Sequence, residues 1–186
     1  MVRPGWESAG ECCGLRARVQ QLARRDWAKA LNEARDIPLI WYRVQSMATV
    51  VQHAPEEQVD PLLRRAIEHA NTETDAYRRL AVLRWVAEAA LERGRPAVAR
   101  AMVERVVRES PTITPTKSRA YALESFLDVA KQVGADGPVA EALAQAAALL
   151  MKDSHKKWRK WGKSFVRYLG MHVGPARAAA LIEKWK

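Results

Sequence analysis

Residues 156–167 read KKWRKWGKSFVR, a stretch in which cations alternate with aromatic rings. Two kinds of binding use that combination. Lysine and arginine neutralise carboxylate or phosphate groups, and exposed rings set among them stack on nucleic-acid bases. Spacing decides whether the two sets share a surface. At about 100° per residue, Lys152, Lys156, Lys160, Lys163 and Arg167 fall within about 40° of one line. Trp158, Trp161, Phe165, Leu169 and His172 lie on roughly the opposite side, with Tyr168 at their border. The stretch is thus one helix with a cationic face and an aromatic face. The aromatic face reads as core. The five cations are the candidate residues for binding an anionic partner. A solvated face is the competing reading, but such faces usually mix signs, and like charges at i, i+4 repel.

The charge of the whole chain supports a local reading. The 186 residues carry a net charge of +10, with an isoelectric point near 10.0. Residues 151–186 hold ten cations against two carboxylates, whereas residues 51–150 are close to neutral and residues 1–50 reach only +3. Charge concentrated in this way sums to a local field that attracts anions.

No motif assigns catalysis. There is no Gly-rich phosphate loop, no dinucleotide fingerprint and no paired-histidine zinc helix. His53, His69, His155 and His172 are scattered without metal-ligand spacing. Asp153, Ser154 and His155 are of triad type but adjacent, and neighbours cannot adopt relay geometry; they read as a cap and junction. Cys12 and Cys13 are also adjacent, so a bridge between them would be strained and would staple nothing. No second pair completes a zinc site. Neither a cofactor nor a metal is expected, and the chain reads as a non-enzyme. No run approaches the ~20 apolar residues of a membrane span. The expectation is a soluble, cytoplasmic protein with no membrane partner.

The elements that position the cations follow from punctuation. Gly94, Gly134 and Gly174 stand 40 residues apart, and Pro96, Pro138 and Pro175 follow them. Glycine suits a helix stop and proline the next start; each glycine is expected at the C′ position. Between these marks, Leu80, Leu83, Val86 and Ala90 fall on Ala120, Leu123, Phe126 and Ala130, one helix face in both copies. Val44, Met47, Val50 and Ala54 repeat the stripe at a spacing of 36. Further helical patterns cover 15–35, 59–72, 97–109 and 138–152. Trp41 is expected to plug the first hairpin, and Glu104 to pair with Arg108.

Helix formers dominate, so the expected fold is all-α: an α-solenoid of about four antiparallel helical hairpins with a short C-terminal capping helix. Residues 1–14 read as a flexible tail bearing Trp6, and 15–186 as a single helical-repeat domain. A strict period of 40 would set Lys160 and Lys163 over Leu80 and Leu83, so the last pair must be rotated or atypical.

The two-helix unit of 36–40 residues resembles the tetratricopeptide and HEAT-like repeat families across 15–186. The resemblance is architectural, and no functional residue carries over. It implies a curved scaffold that binds a protein or peptide, here an acidic one. The alternative is a HEAT-like solenoid that binds nucleic acid by phosphate contacts, in the manner of alkylpurine DNA glycosylases. Trp85 and Asp128 are of the residue types those enzymes use, but no motif assigns them.

Overall fold

The computed structural model describes residues 6–134, 137–152 and 156–185, with the side chains of 6–8, 138, 139, 142, 157, 158 and 161 left outside the description. The described residues form eleven α-helices and no strand. The fold is an all-α helical repeat, and among the described residues no helix is long and apolar enough to cross a membrane. The chain divides into two compact units, Met1–Val98 and Ala99–Lys186.

The first unit holds α1 (Trp6–Ala23), α2 (Trp27–Arg35), α3 (Ile40–His53), α4 (Glu56–Asn71) and α5 (Ala76–Glu92). Helix α3 packs against α1, α2, α4 and α5. Two expectations change here. The stretch from Trp6 to Gly14, expected as tail, is helical and part of α1, with Cys12 buried. The single pattern 15–35 is two helices. Asp26 breaks it: its carboxylate accepts from the Lys29 amide and caps α2. A short side chain that satisfies a free backbone amide starts a new helix there. Trp41 is a half-buried residue in the first turn of α3.

The unit boundary falls within α6 (Pro96–Glu109). On α6 the i, i+4 ion pair is Arg105–Glu109 at 2.9 Å, not Glu104–Arg108; Arg108 also lies 3.7 Å from Glu109. A 3-10 turn, Ser110–Thr112, leads to α7 (Thr116–Ser125), α8 (Leu127–Val133), α9 (Gly137–Lys152), α10 (Lys156–Val173) and α11 (Pro175–Glu183). The pattern expected as one helix over 120–134 is therefore broken at Phe126. The Ser125 hydroxyl donates to the Ala122 carbonyl, and the Phe126 amide bonds Leu123 instead of Ala122. Such back-bonding bends helices. Helix α9 packs against α7, α10 and α11. It is apolar nearly all round, as a central helix must be.

The repeat is visible in burial. Val44, Leu80 and Ala120 are buried, as are Met47, Leu83 and Leu123; Val50, Val86 and Phe126; and Ala54, Ala90 and Ala130. A second repeated feature is polar. Arg43, Arg79 and Arg119 are each the fourth residue of their helices. Each guanidinium turns back to carbonyls of the preceding loop: Arg43 to Ile37 (2.8 Å), Arg79 to Glu73 (2.8 Å) and Arg119 to Pro111 (3.0 Å). The loops lack regular backbone partners, and the planar fork of arginine supplies them. Arg159 holds the same position in α10.

All three spaced glycines have positive φ: 67° at Gly94, 96° at Gly134 and 84° at Gly174. Gly94 is the expected C′ residue; its amide and that of Arg95 close onto Leu91 and Ala90, a Schellman stop. Gly134 and Gly174 instead directly follow the last residues of α8 and α10, with ψ of 147° and 149°. Gly174 is also the N-cap of α11.

Candidate functional site

Helix α10 presents the expected cationic line. Lys156, Lys160, Lys163 and Arg167 are all exposed, while Gly162, Phe165 and Leu169 are buried. The apolar side docks on α9 because of one small residue. A Cβ at Gly162 would lie 2.6 Å from Met151 Cγ and 3.1 Å from the Ala147 carbonyl oxygen. The two backbones therefore approach more closely than any other residue allows. Relative to the strict 40-residue register, the buried residues of α10 are displaced by one position: Gly162, Phe165 and Leu169 take the places of Leu123, Phe126 and Ala130. One residue is a rotation of about 100°. That rotation carries Lys160 and Lys163 out of the core and into solvent.

The aromatic side is only partly core. Phe165 is 2% exposed. Tyr168 is half-buried and its hydroxyl has no partner; burial pushes its pKa up. Lys131 lies over its ring at 5.6 Å. His172, expected on the buried side, is exposed and stacks on Tyr168 with ring centres 4.2 Å apart. The side chains of Trp158 and Trp161 lie outside the described residues.

The line spans about 16 Å from Lys156 to Arg167, at roughly 1.5 Å per residue. None of its four α10 cations forms an ion pair among the described residues. Several carboxylates of the same unit are engaged with other cations: Glu109 with Arg105, Asp128 with Lys131 at 2.9 Å, and Glu141 with Lys184 at 2.7 Å. Lys152 differs from the rest. It belongs to α9, and its ammonium donates to the Trp185 carbonyl at 3.3 Å. It therefore ties down the end of the chain as well as extending the line.

Comparison with protein families, curated proteins and solved structures finds no match to this chain. Site chemistry alone must therefore carry the functional reading. No group of His, Cys, Asp or Glu among the described residues could hold a metal. Asp153, Ser154 and His155 lie outside the described residues. Trp85 is half-buried in the first unit, with Arg84 5.3 Å from its ring; Asp128 is exposed in the second and bound to Lys131.

Sequence reasoning missed a second group of cations, Arg18, Arg24, Arg25 and Lys29, around the turn between α1 and α2. The signal was there in the Arg-Arg-Asp string. Even on one continuous helix Arg18, Arg25 and Lys29 fall within about 40° of one line, with Arg24 about 120° away, so spacing alone pointed to most of the group.

Proposed function

We propose that the chain is a non-catalytic helical-repeat scaffold, of the tetratricopeptide or HEAT-like kind, that binds an acidic protein or peptide through α10. The observation that supports this most is the uncompensated line of Lys156, Lys160, Lys163 and Arg167, exposed opposite a buried Phe165. Four like charges along one helix face destabilise that helix slightly. A partner that supplies carboxylates at matching spacing removes the repulsion and gains charge-assisted hydrogen bonds. A strip of about 16 Å fits about five residues of extended chain at roughly 3.3 Å each.

The buried Phe165 argues against base stacking as the main contact, since a ring inside the core cannot receive a base. Nucleic acid remains the second reading and an outcome of the same test. The full chain and its Lys156→Gln/Lys160→Gln/Lys163→Gln variant are titrated with a fluorescent hexaglutamate peptide and with single- and double-stranded oligonucleotides, each at two salt concentrations. The expected result is peptide binding that weakens in the variant and depends less on salt. Tighter oligonucleotide binding with a steep salt slope would favour phosphate recognition. Equal peptide affinity for both proteins at low salt would leave the strip as a solvated face and end the proposal.

A further inference from the structure

The turn joining α1 to α2 borders an open surface pocket of about 360 Å³. Four cations line it, Arg18, Arg24, Arg25 and Lys29, against one carboxylate, Glu33. That carboxylate is already engaged. Arg18 grips it with two parallel contacts, Nε to Oε2 and a second nitrogen to Oε1, both at 2.9 Å. The pair ties α1 to α2 and fixes one wall. Asp26, the acid of the turn itself, accepts from the Lys29 amide at 2.9 Å as the cap of α2 and keeps its charge, but it does not line the pocket. The side-chain charges of Arg24, Arg25 and Lys29 have no ion-pair partner among the described residues.

Local structure explains why the three converge. The amides of Arg25 and Asp26 both bond the Leu22 carbonyl, which closes the chain tightly just past α1. Arg24 and Arg25 leave from that turn, and Lys29 follows as the third residue of α2. Cations at a helix C-terminus are favourable in themselves, which explains Arg24 and Arg25 but not Lys29 in the first turn of α2. It does not explain three around a cavity whose size is within the range of small-molecule sites, about 300–1,000 Å³.

From this geometry we infer a binding pocket for a small ligand that carries two linked phosphoryl groups. Three uncompensated cations match the charge of a diphosphate better than that of a monoanion. The arginine forks and the lysine ammonium offer the donors its oxygens require. Apart from Leu22 the lining is polar or charged, and it includes no aromatic ring, so recognition rests on charge and not on a base. The pocket belongs to the first unit and uses none of the α10 residues, so it stands independently of the proposed scaffold role.

The test is isothermal titration of the full chain with sodium pyrophosphate at constant ionic strength, with orthophosphate, sulfate, ADP and a short single-stranded oligonucleotide as comparisons. Pyrophosphate is expected to bind one to one and more tightly than either simple anion, with ADP no tighter than pyrophosphate. The Arg24→Gln/Arg25→Gln/Lys29→Gln variant should lose about tenfold or more in affinity, the scale of lost charged hydrogen bonds. Lys29→Gln alone should lose part of it and Lys29→Arg should keep it, which preserves the test if the triple variant folds poorly. The α10 triple variant should bind pyrophosphate as the wild type does. Undiminished binding in the pocket variants, equal affinity for all the anions, or loss of binding in the α10 variant would each overturn the pocket. Tighter binding of ADP or of the oligonucleotide would overturn the ligand class.

Discussion

Gly162 on α10 and Met151 on α9 stand so close that a Cβ on the glycine would lie 3.0 Å from the methionine amide nitrogen. Two effects compete at this position. In an open helix, Gly→Ala gains up to about 1 kcal/mol in propensity. Overpacking a tight contact typically costs about 1–3 kcal/mol. Here the obstacles include backbone atoms, which cannot swing aside as the methionine side chain can. Gly162→Ala is therefore expected to destabilise by about 1–2 kcal/mol, read as a lower urea midpoint. A raised midpoint would show that α9 and α10 have room to spare.

The three spaced glycines should differ in what they tolerate. Gly94 caps α5 in a conformation that asparagine also adopts. Gly134 and Gly174 combine positive φ with ψ of 147° and 149°, a region essentially reserved for glycine that costs other residues about 1–3 kcal/mol. Gly94→Asn should nearly preserve the melting temperature, whereas Gly134→Asn and Gly174→Asn should lower it. No atom lies within 4 Å of an added Cβ at Gly94 or Gly174, so at those two positions the comparison reports backbone strain rather than crowding. Three equal shifts would contradict this ranking.

Lys163 and Phe165 are two residues apart and face opposite ways, one exposed and one buried. Phe165→Ala should cost about 3–5 kcal/mol, as other large-to-small core changes do. Lys163→Ala should stay within about 0.5 kcal/mol, as an exposed site allows. Chemical denaturation of both variants checks the pair. A stable Phe165→Ala protein that loses its ligand would move the binding surface to the aromatic side.

Acid should break the contact that Glu141 makes with Lys184. The Lys184 ammonium, bonded at 2.7 Å, holds this carboxyl below the usual glutamate range; burial opposes the shift and the Trp185 indole adds to it. A depressed folded pKa means that the unfolded chain takes up the proton first. The contact therefore stabilises above the unfolded value of about 4.3 and is lost as pH falls through the folded one. Wild type should exceed Glu141→Gln in melting temperature at neutral pH, and the gap should close on acidification. A gap independent of pH would mean that the charge on Glu141 contributes nothing.

The all-α fold and the repeat were legible in the sequence, because both depend on local chemistry. Helix formers, a stripe every three or four residues and glycine stops act within a few turns, and they place Leu80, Leu83, Phe126 and their counterparts in the core without knowledge of distant residues. The cationic line on α10 was legible for the same reason, since angular position on a helix follows from spacing alone. The arginine at each fourth helix position was legible in principle at spacings of 36, 40 and 40, but its role was not, because its partners are backbone carbonyls that carry no sequence signature. Tertiary structure alone decided the rest. The one-residue rotation of α10 is set by how closely Gly162 lets it approach α9. The breaks at Asp26 and Phe126 are decided by single hydrogen bonds that compete with a helix by small margins. The pocket that Arg24 shares with Arg18, Arg25 and Lys29 depends on where a turn places two helix ends. Periodicity reports which face a residue occupies, and only packing determines what that face meets.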